Sequence, residues 1–413
     1  MTTQHVVVLG AGHAGTQLAD SLRAEGFDDK ITLLDSDTEL PYHRPPLSKD
    51  FLTTGPAAAP LPLRSRSFYD EQSIDLVRGV VVTGLDPAER ALTFADATSV
   101  EYTSLVFATG ARNRLLSIPG ADAPGVHYLR DIRDARRLHS VLTDVREVLV
   151  IGAGFIGLEF AAATAALGLR TTVVEYGSRA MARAVSPDIS EHFATMHTEM
   201  GVRILFEESI TRIEATPTGV TGAVTATGKT ISADLILIGI GVDANDSIAA
   251  AAGLRTDNGI AVDKYMQTSN DFVYAIGDCA RFPCKFLSLD TRRESVQNAV
   301  DQAKTLARSL TGTPSEYDRL PWFWSQQGKH KLQIAGVTRG DGPSLTHGDK
   351  STGKFSVLRF DHDQLTCVES VNQPAAHMAA RALLCAPMRL TVEQASADGF
   401  DLKAAAKCAA AAH

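Results

Sequence analysis

Val6-Val7-Val8-Leu9-Gly10-Ala11-Gly12-His13-Ala14-Gly15 runs an apolar strand directly into a GxGxxG turn. Val148-Leu149-Val150-Ile151-Gly152-Ala153-Gly154-Phe155-Ile156-Gly157 repeats the arrangement far downstream. Behind the first turn a helical pattern passes through Leu18 and Leu22 to a second strand, Ile31-Thr32-Leu33-Leu34-Asp35. Behind the second turn a helix reaches Leu167 and is followed by Thr171-Thr172-Val173-Val174-Glu175. Strand, glycine turn, helix and strand in that order form a βαβ unit, and two such units imply two Rossmann-like domains of α/β class.

The glycines carry a physical requirement. The first permits the tight turn, the second lets the backbone approach a pyrophosphate, and the third lets the helix pack on the strand. The helix N-terminus then offers free N–H groups and the positive end of its dipole to the phosphates. The bland alternative is a structural packing turn. Asp35 and Glu175 each end the next strand, at about the 20-residue spacing where a carboxylate accepts hydrogen bonds from ribose hydroxyls. Either acid is otherwise an ordinary solvated strand end. With strand, turn, helix and acid all present twice, the reading is two adenine dinucleotides, for which Gly10, Gly12, Gly15 and Asp35, and Gly152, Gly154, Gly157 and Glu175, are the candidate ligands. Glu175 repels a 2′-phosphate and so favours NAD over NADP, with Arg179 and Arg183 close enough in sequence to soften the preference.

Two further strands tie the chain together. Leu105-Val106-Phe107-Ala108-Thr109-Gly110 closes the first unit, and Asp271-Phe272-Val273-Tyr274-Ala275-Ile276-Gly277-Asp278 returns as an apolar strand ending on Gly-Asp. The second nucleotide domain is therefore expected as an insertion, with crossings near Gly110 and Gly241. The expected partition is 1–110 with 242–320, then 111–241, then 321–413. After about Leu320 the texture becomes alternating, as in Lys331-Leu332-Gln333-Ile334-Ala335 and Phe355-Ser356-Val357-Leu358-Arg359-Phe360, which predicts a small α+β domain. The alanine-rich run Ala404 to Ala412 is helix-prone and receives no function.

Composition bounds the rest. A chain of 413 residues exceeds one hydrophobic core, and 44% hydrophobic with 21% charged residues excludes disordered and fibrous classes. A net charge of −8 disfavours nucleic acid as main partner. Five cysteines without a CxxC pair fit a reducing compartment, and the absence of a basic leader or a long apolar stretch gives the expectation of a cytoplasmic protein without a membrane partner.

Together these residues resemble the FAD-dependent NADH:ferredoxin reductases of the putidaredoxin reductase type. The more specific marks are Pro41-Tyr42-His43-Arg44-Pro45-Pro46-Leu47-Ser48-Lys49, Gly154-Phe155-Ile156-Gly157-Leu158-Glu159, Tyr274-Ala275-Ile276-Gly277-Asp278-Cys279, Glu294-Ser295-Val296-Gln297-Asn298-Ala299 and Pro321-Trp322-Phe323-Trp324-Ser325. The resemblance implies that FAD is bound by the first and third segments, NADH by the inserted domain, and that the C-terminal domain covers the flavin. It implies Asp278 at the ribityl chain or pyrophosphate, Thr109 and Gly110 near the cofactor, Arg44 and Pro45 bordering the flavin, and Val296, Trp324 and Gly241 among the cofactor-binding residues. The chain departs from the family at Gly241-Val242-Asp243-Ala244-Asn245-Asp246, where Gly-Val-x-Pro-Asn is common, and at Gln326, where Asp is frequent.

Lys49 and Glu159 are unremarkable alone, and the resemblance makes them a catalytic pair that orients nicotinamide beside the flavin. Phe155 covers the flavin until nicotinamide displaces it, or packs in the core. Trp322 and Trp324 share a face if their segment is extended, where one stands between flavin and ferredoxin or both fill a domain interface. Gly348 to Lys354 imitates a Walker A loop but has Phe355 in place of the magnesium-binding Ser or Thr, and reads as a turn. Gly222 to Thr230 reads as a hairpin. His192 and His197 are poorly spaced for a metal, so no metal is expected. Related disulfide reductases carry a cysteine early in the FAD domain, where this chain has Arg44-Pro45-Pro46-Leu47-Ser48, so disulfide chemistry is disfavoured.

The expected function is electron transfer from NADH through FAD to a 2Fe-2S ferredoxin that supplies a cytochrome P450 or a ring-hydroxylating oxygenase. A rubredoxin reductase and a binding flavoprotein resembling apoptosis-inducing factor are the alternatives. Arg292 and Arg293 are the candidate basic docking pair, against the alternative of a plain helix-start pair.

Overall fold

The computed structural model describes residues 3–55, 61–340, 342–387 and 389–411. Met1, Thr2 and the last residue of the alanine run, Ala412, lie outside the described residues. The chain forms two compact units: Met1–His43 with Leu61–Arg112 and Val242–Pro321, and Arg44–Pro60 with Asn113–Gly241 and Trp322–His413. The stretch Arg44–Pro60, read from sequence with the FAD segments, groups with the second unit, as do both the inserted and the C-terminal segments.

The first unit is built on a five-stranded sheet ordered Val273–Ala275, Ser104–Phe107, His5–Leu9, Lys30–Asp35 and Ile74–Arg78. All its pairings are parallel. Parallel strands covered on both faces must be apolar along their length, and Val6, Val7, Val8, Ile31, Leu33, Leu105, Val106 and Phe107 are buried accordingly. The helix His13–Ala24 crosses from the first strand to the second. The helix Val296–Leu310 packs against it and is started by Ser295, whose hydroxyl accepts from the Asn298 amide.

The second unit repeats the design with a parallel sheet ordered Arg203–Leu205, Arg170–Val174, Glu147–Ile151, Leu235–Ile238 and Val126–His127. Its crossover helix Phe155–Ala166 is apolar nearly all round, and the residues from Gly157 to Thr164 are buried. The stretch read as a hairpin is one: Gly219–Thr225 pairs antiparallel with Thr230–Ser232. The C-terminal segment is a five-stranded antiparallel sheet ordered Trp322–Gln327, His330–Gly336, Gln364–Val371, Lys354–Asp361 and Ser344–Asp349. The helices Pro374–Cys385, Val392–Ser396 and Leu402–Ala411 follow it. The Walker-like stretch is indeed a turn, a short 3-10 helix Lys350–Thr352 between two paired strands. The fold is thus α/β with two Rossmann-like sheets and an α+β C-terminal segment.

Within the second unit, Glu369 of the C-terminal sheet is fully buried, and both of its carboxylate oxygens accept from the Ser186 amide at 3.0 Å. Ser186 caps the helix Pro187–Glu199, so the acid takes the free N–H at the cap of a helix start. Arg359 donates to the same carboxylate at 3.1 Å. Burial pushes the Glu369 carboxyl up, and the Ser186 and Arg359 bonds oppose it.

Candidate functional site: two dinucleotide turns and a buried ion pair

In the first unit Gly10 leaves the central strand at φ +111, and a Cβ there would stand 2.3 Å from the Ala108 carbonyl oxygen. Gly15 is equally closed, with the Gly10 oxygen 1.9 Å from its notional Cβ. Gly12 is the opposite case, since a Cβ there would meet nothing within 4 Å. Two glycines are therefore needed for packing and the middle one opens the helix start to an incoming group. Gly277, at φ +76, sits against Ala14 and Ala299 near the starts of both helices, and Asp278 follows it. The Gly277 amide donates to the buried Gln302 Oε1 at 2.7 Å, and Gln302 Nε2 has no protein partner. Thr109 and Gly110 are held by Asn245: the Thr109 hydroxyl donates to its carbonyl at 2.7 Å, and its amide donates back to the Thr109 carbonyl at 2.9 Å. Asp35 ends its strand with one oxygen accepting from the Asp37 amide at 3.2 Å. Val296 is the first residue of its helix. The open space at Gly12, beside helix starts and a strand-end acid, fits a dinucleotide pyrophosphate.

The second turn has the same construction. A Cβ at Gly152 would lie 2.6 Å from the Gly239 oxygen, one at Gly157 would lie 2.2 Å from the Gly152 oxygen, and Gly154 has only a 3.9 Å neighbour. The Glu175 carboxylate reaches back to the turn and accepts from the Ala153 amide at 2.7 Å and the Gly177 amide at 2.8 Å. Of the two arginines read as moderating Glu175, Arg179 spends its guanidinium on the Val185 and Ala182 carbonyls and the Ser190 hydroxyl. Arg183 instead lies over Gly241, with Nη2 3.6 Å from a notional Cβ there. The Gly241 carbonyl accepts from the Arg114 amide at 3.0 Å.

Lys49 and Glu159 meet within the second unit. The 3-10 helix Pro45–Ser48 delivers Lys49, and the helix Phe155–Ala166 carries Glu159, which is 4% exposed. Lys49 Nζ lies 2.6 Å from Glu159 Oε2 and also donates to the Pro45 carbonyl at 3.0 Å. The Ser48 hydroxyl donates to Oε2 at 2.5 Å, and the Ser325 hydroxyl to Oε1 at 2.7 Å. A buried charge with one opposite charge and two hydroxyl donors is a well-satisfied arrangement. Arg44 precedes this 3-10 helix as its cap residue. Phe155 is half-buried, with its ring centroid 4.6 Å from that of Phe323. Trp322 and Trp324 share a face of their strand, with centroids 5.5 Å apart. Ser48, Ser325 and Gln302 were not singled out from sequence, because a lone Ser or Gln has no spacing that marks it.

The docking expectation is corrected at Arg292. Its side chain is 8% exposed, pairs with Glu294 at 2.8 Å, and donates to the Asp278 carbonyl at 3.1 Å. It braces the Gly277-Asp278 corner and offers no charge to a partner. His192 and His197 do not share a ligand: His192 Nε2 lies 3.1 Å from His330 Nδ1, and His197 Nε2 lies 2.8 Å from Gln327 Oε1. Among the described residues no group of His, Cys, Asp and Glu is placed to hold a metal, and no helix is long and apolar enough to cross a membrane. None of the five cysteines is in a disulfide, and burial pushes the Cys279 thiol up, away from thiolate chemistry.

Residues 4–303 match the family described as pyridine nucleotide-disulphide oxidoreductase, and residues 322–406 match the family described as reductase C-terminal. Rhodocoxin reductase of Rhodococcus erythropolis is 46% identical over 400 residues, covering 97% of this chain and 94% of its own. The crystal structure of the ferredoxin reductase for the CYP199A2 system from Rhodopseudomonas palustris superposes with a TM-score of 0.95 at 44% identity, covering 98% of this chain and all (100%) of that one. The covalent putidaredoxin reductase–putidaredoxin complex matches with a TM-score of 0.94 at 32% identity, covering 99% of each chain. With both glycine turns and the C-terminal sheet inside these matches, the chain belongs to the pyridine nucleotide-disulphide oxidoreductase family, among its FAD-dependent ferredoxin reductases of the putidaredoxin reductase type.

Proposed function

We propose that the chain passes electrons from NADH through FAD to a 2Fe-2S ferredoxin that serves a cytochrome P450 or a ring-hydroxylating oxygenase. The observation that carries the reading is one chain with two open glycine turns, each with its strand-end acid, and a buried Lys49–Glu159 pair, with none of the five cysteines in a disulfide. Gly10, Gly12, Gly15, Asp35, Thr109, Gly110, Gly277, Asp278 and Val296 would hold FAD, with Arg44, Pro45 and Trp324 assigned to it by resemblance. Gly152, Gly154, Gly157, Glu175 and Gly241 would hold NADH. When bound, FAD supplies the conversion from a two-electron donor to one-electron acceptors, which no side chain here can perform. Lys49 and Glu159 orient the nicotinamide end, and Phe155 shields that zone when the nucleotide is absent. The inserted segment 111–241 and the C-terminal segment 321–413 act as separate domains, nearly all of each lying in the second unit. Cysteines outside any disulfide suit a reducing compartment, and we place the protein in the cytoplasm.

The test is NADH-driven reduction of cytochrome c by the yellow holoprotein, with and without an added 2Fe-2S ferredoxin. Strong dependence on the ferredoxin is expected. Stimulation by rubredoxin alone would move the chain to the rubredoxin reductases, and no stimulation by either would favour the binding flavoprotein.

Nucleotide choice follows from Glu175. Its carboxylate stands where a 2′-phosphate would bring like charge, so NADH is expected to exceed NADPH in kcat/KM, and Glu175→Ala to narrow that ratio by about 10-fold. The substitution also frees the Ala153 and Gly177 amides, so the ratio is the quantity to measure. Equal use of both nucleotides by the parent protein would sink the assignment.

A further inference from the structure

Glu159 is held from two sides, and only the Lys49 side has a role in the reading above. On the other side Ser325, Gln327 and His197 are fully buried and joined in a hydrogen-bonded series. The Ser325 hydroxyl lies 2.7 Å from Glu159 Oε1, Gln327 Nε2 lies 3.4 Å from Ser325 Oγ, and His197 Nε2 lies 2.8 Å from Gln327 Oε1.

The chemistry of the groups fixes which atom donates at each step. A carboxylate only accepts, so Ser325 gives it its proton and can then only accept. The other neighbour of the same Gln327 nitrogen is Met181 Sδ at 3.5 Å, a thioether that also only accepts. Gln327 must therefore present its NH2 group to Ser325 and Met181, and its carbonyl to His197. His197 must then donate from Nε2, leaving its buried Nδ1 bare and without a hydrogen-bond partner. Burial holds the His197 pKa below the usual imidazole value, in agreement with a neutral ring. Every dipole in the series points at Glu159, an arrangement in which each bond strengthens the next.

We propose that His197, Gln327 and Ser325 form a positioning relay that fixes the Glu159 carboxylate for its part in the reaction with NADH. The proposal rests on the role given to Glu159 above. The three residues come from the helix Pro187–Glu199 and the strand Trp322–Gln327, so the C-terminal sheet reaches the nicotinamide zone through this series. They do not touch the cofactor in this account and act through Glu159.

The test is a double-mutant cycle on the flavin-loaded protein, reading the rate of flavin bleaching by NADH in anaerobic stopped flow, with ¹⁵N NMR of His197 as a second readout. Ser325→Ala is expected to slow bleaching about 10-fold, the scale of a lost hydrogen bond to a charge. In a Glu159→Gln background the same change is expected to add nothing, because the relay has lost its target. Gln327→Leu should slow bleaching in the same direction, and should shift the His197 nitrogen resonances, which in the parent should report a neutral ring protonated at Nε2. An equal loss from Ser325→Ala in both backgrounds would make the role structural and overturn the relay, as would an unchanged rate or a His197 ring protonated at Nδ1. If Glu159→Gln itself leaves bleaching untouched, the role of Glu159 fails first and takes the relay with it, an outcome distinct from the others.

Discussion

Lys49→Met is expected to destabilise the second unit by about 3–5 kcal/mol, the usual cost of stranding one partner of a buried ion pair. Glu159 is 4% exposed and cannot turn to water. After the substitution it would keep two hydroxyl donors, from Ser48 and Ser325, and no countercharge. Combining Lys49→Met with Glu159→Gln removes both charges at similar volume and should recover most of the loss. Urea titration of the four proteins measures this directly. A single variant as stable as the parent would show that water reaches the pair, and the electrostatic account of the site would have to be withdrawn.

The second large effect concerns Gly157. A methyl group there would sit 2.2 Å from the Gly152 carbonyl oxygen, a distance real Cβ atoms do not adopt, and that oxygen belongs to the turn itself. Gly157→Ala must push the helix Phe155–Ala166 off its strand, carrying Glu159 with it. A displacement of about 1 Å at a positioned group commonly costs about 100-fold, so kcat/KM for NADH should fall by about that factor. FAD content should stay near normal, because Gly10, Gly12 and Gly15 lie in the other unit. Gly154→Ala is the informative contrast: its methyl group has only a 3.9 Å neighbour, so it should fold normally and raise KM for NADH. If Gly157→Ala and Gly154→Ala behave alike, packing is not what the third glycine provides.

The two glycine turns were legible because their chemistry is local. Strand, turn, helix and acid lie within one short stretch, and each residue type is dictated by backbone sterics or phosphate approach. The C-terminal alternation was legible for the same reason, since a half-buried strand writes its period into the sequence. Lys49 and Glu159 needed the family resemblance, because nothing local joins a residue after a Pro-Pro turn to one inside a distant helix. Ser325, Gln327 and His197 were beyond reach, being polar residues whose meaning lies in partners supplied by distant segments. Arg292 shows the opposite error. Adjacent charges suggested a surface, but sequence carries no burial, and the side chain was already committed to Glu294 and the Asp278 carbonyl.

Glu369 bears on protein engineering. A chimaera that grafts the C-terminal sheet of a relative onto this chain, in order to redirect it to another electron acceptor, would import whatever residue that relative places at 369. Here both carboxylate oxygens are spent on the Ser186 amide, with Arg359 on the same acid. A graft with an apolar residue there would leave the start of the helix Pro187–Glu199 without its acceptor. The cut at Pro321 is therefore clean along the backbone and unclean in space, and a graft should keep Glu369 and Arg359 together as one cassette so that the residue-186 amide retains its acceptor.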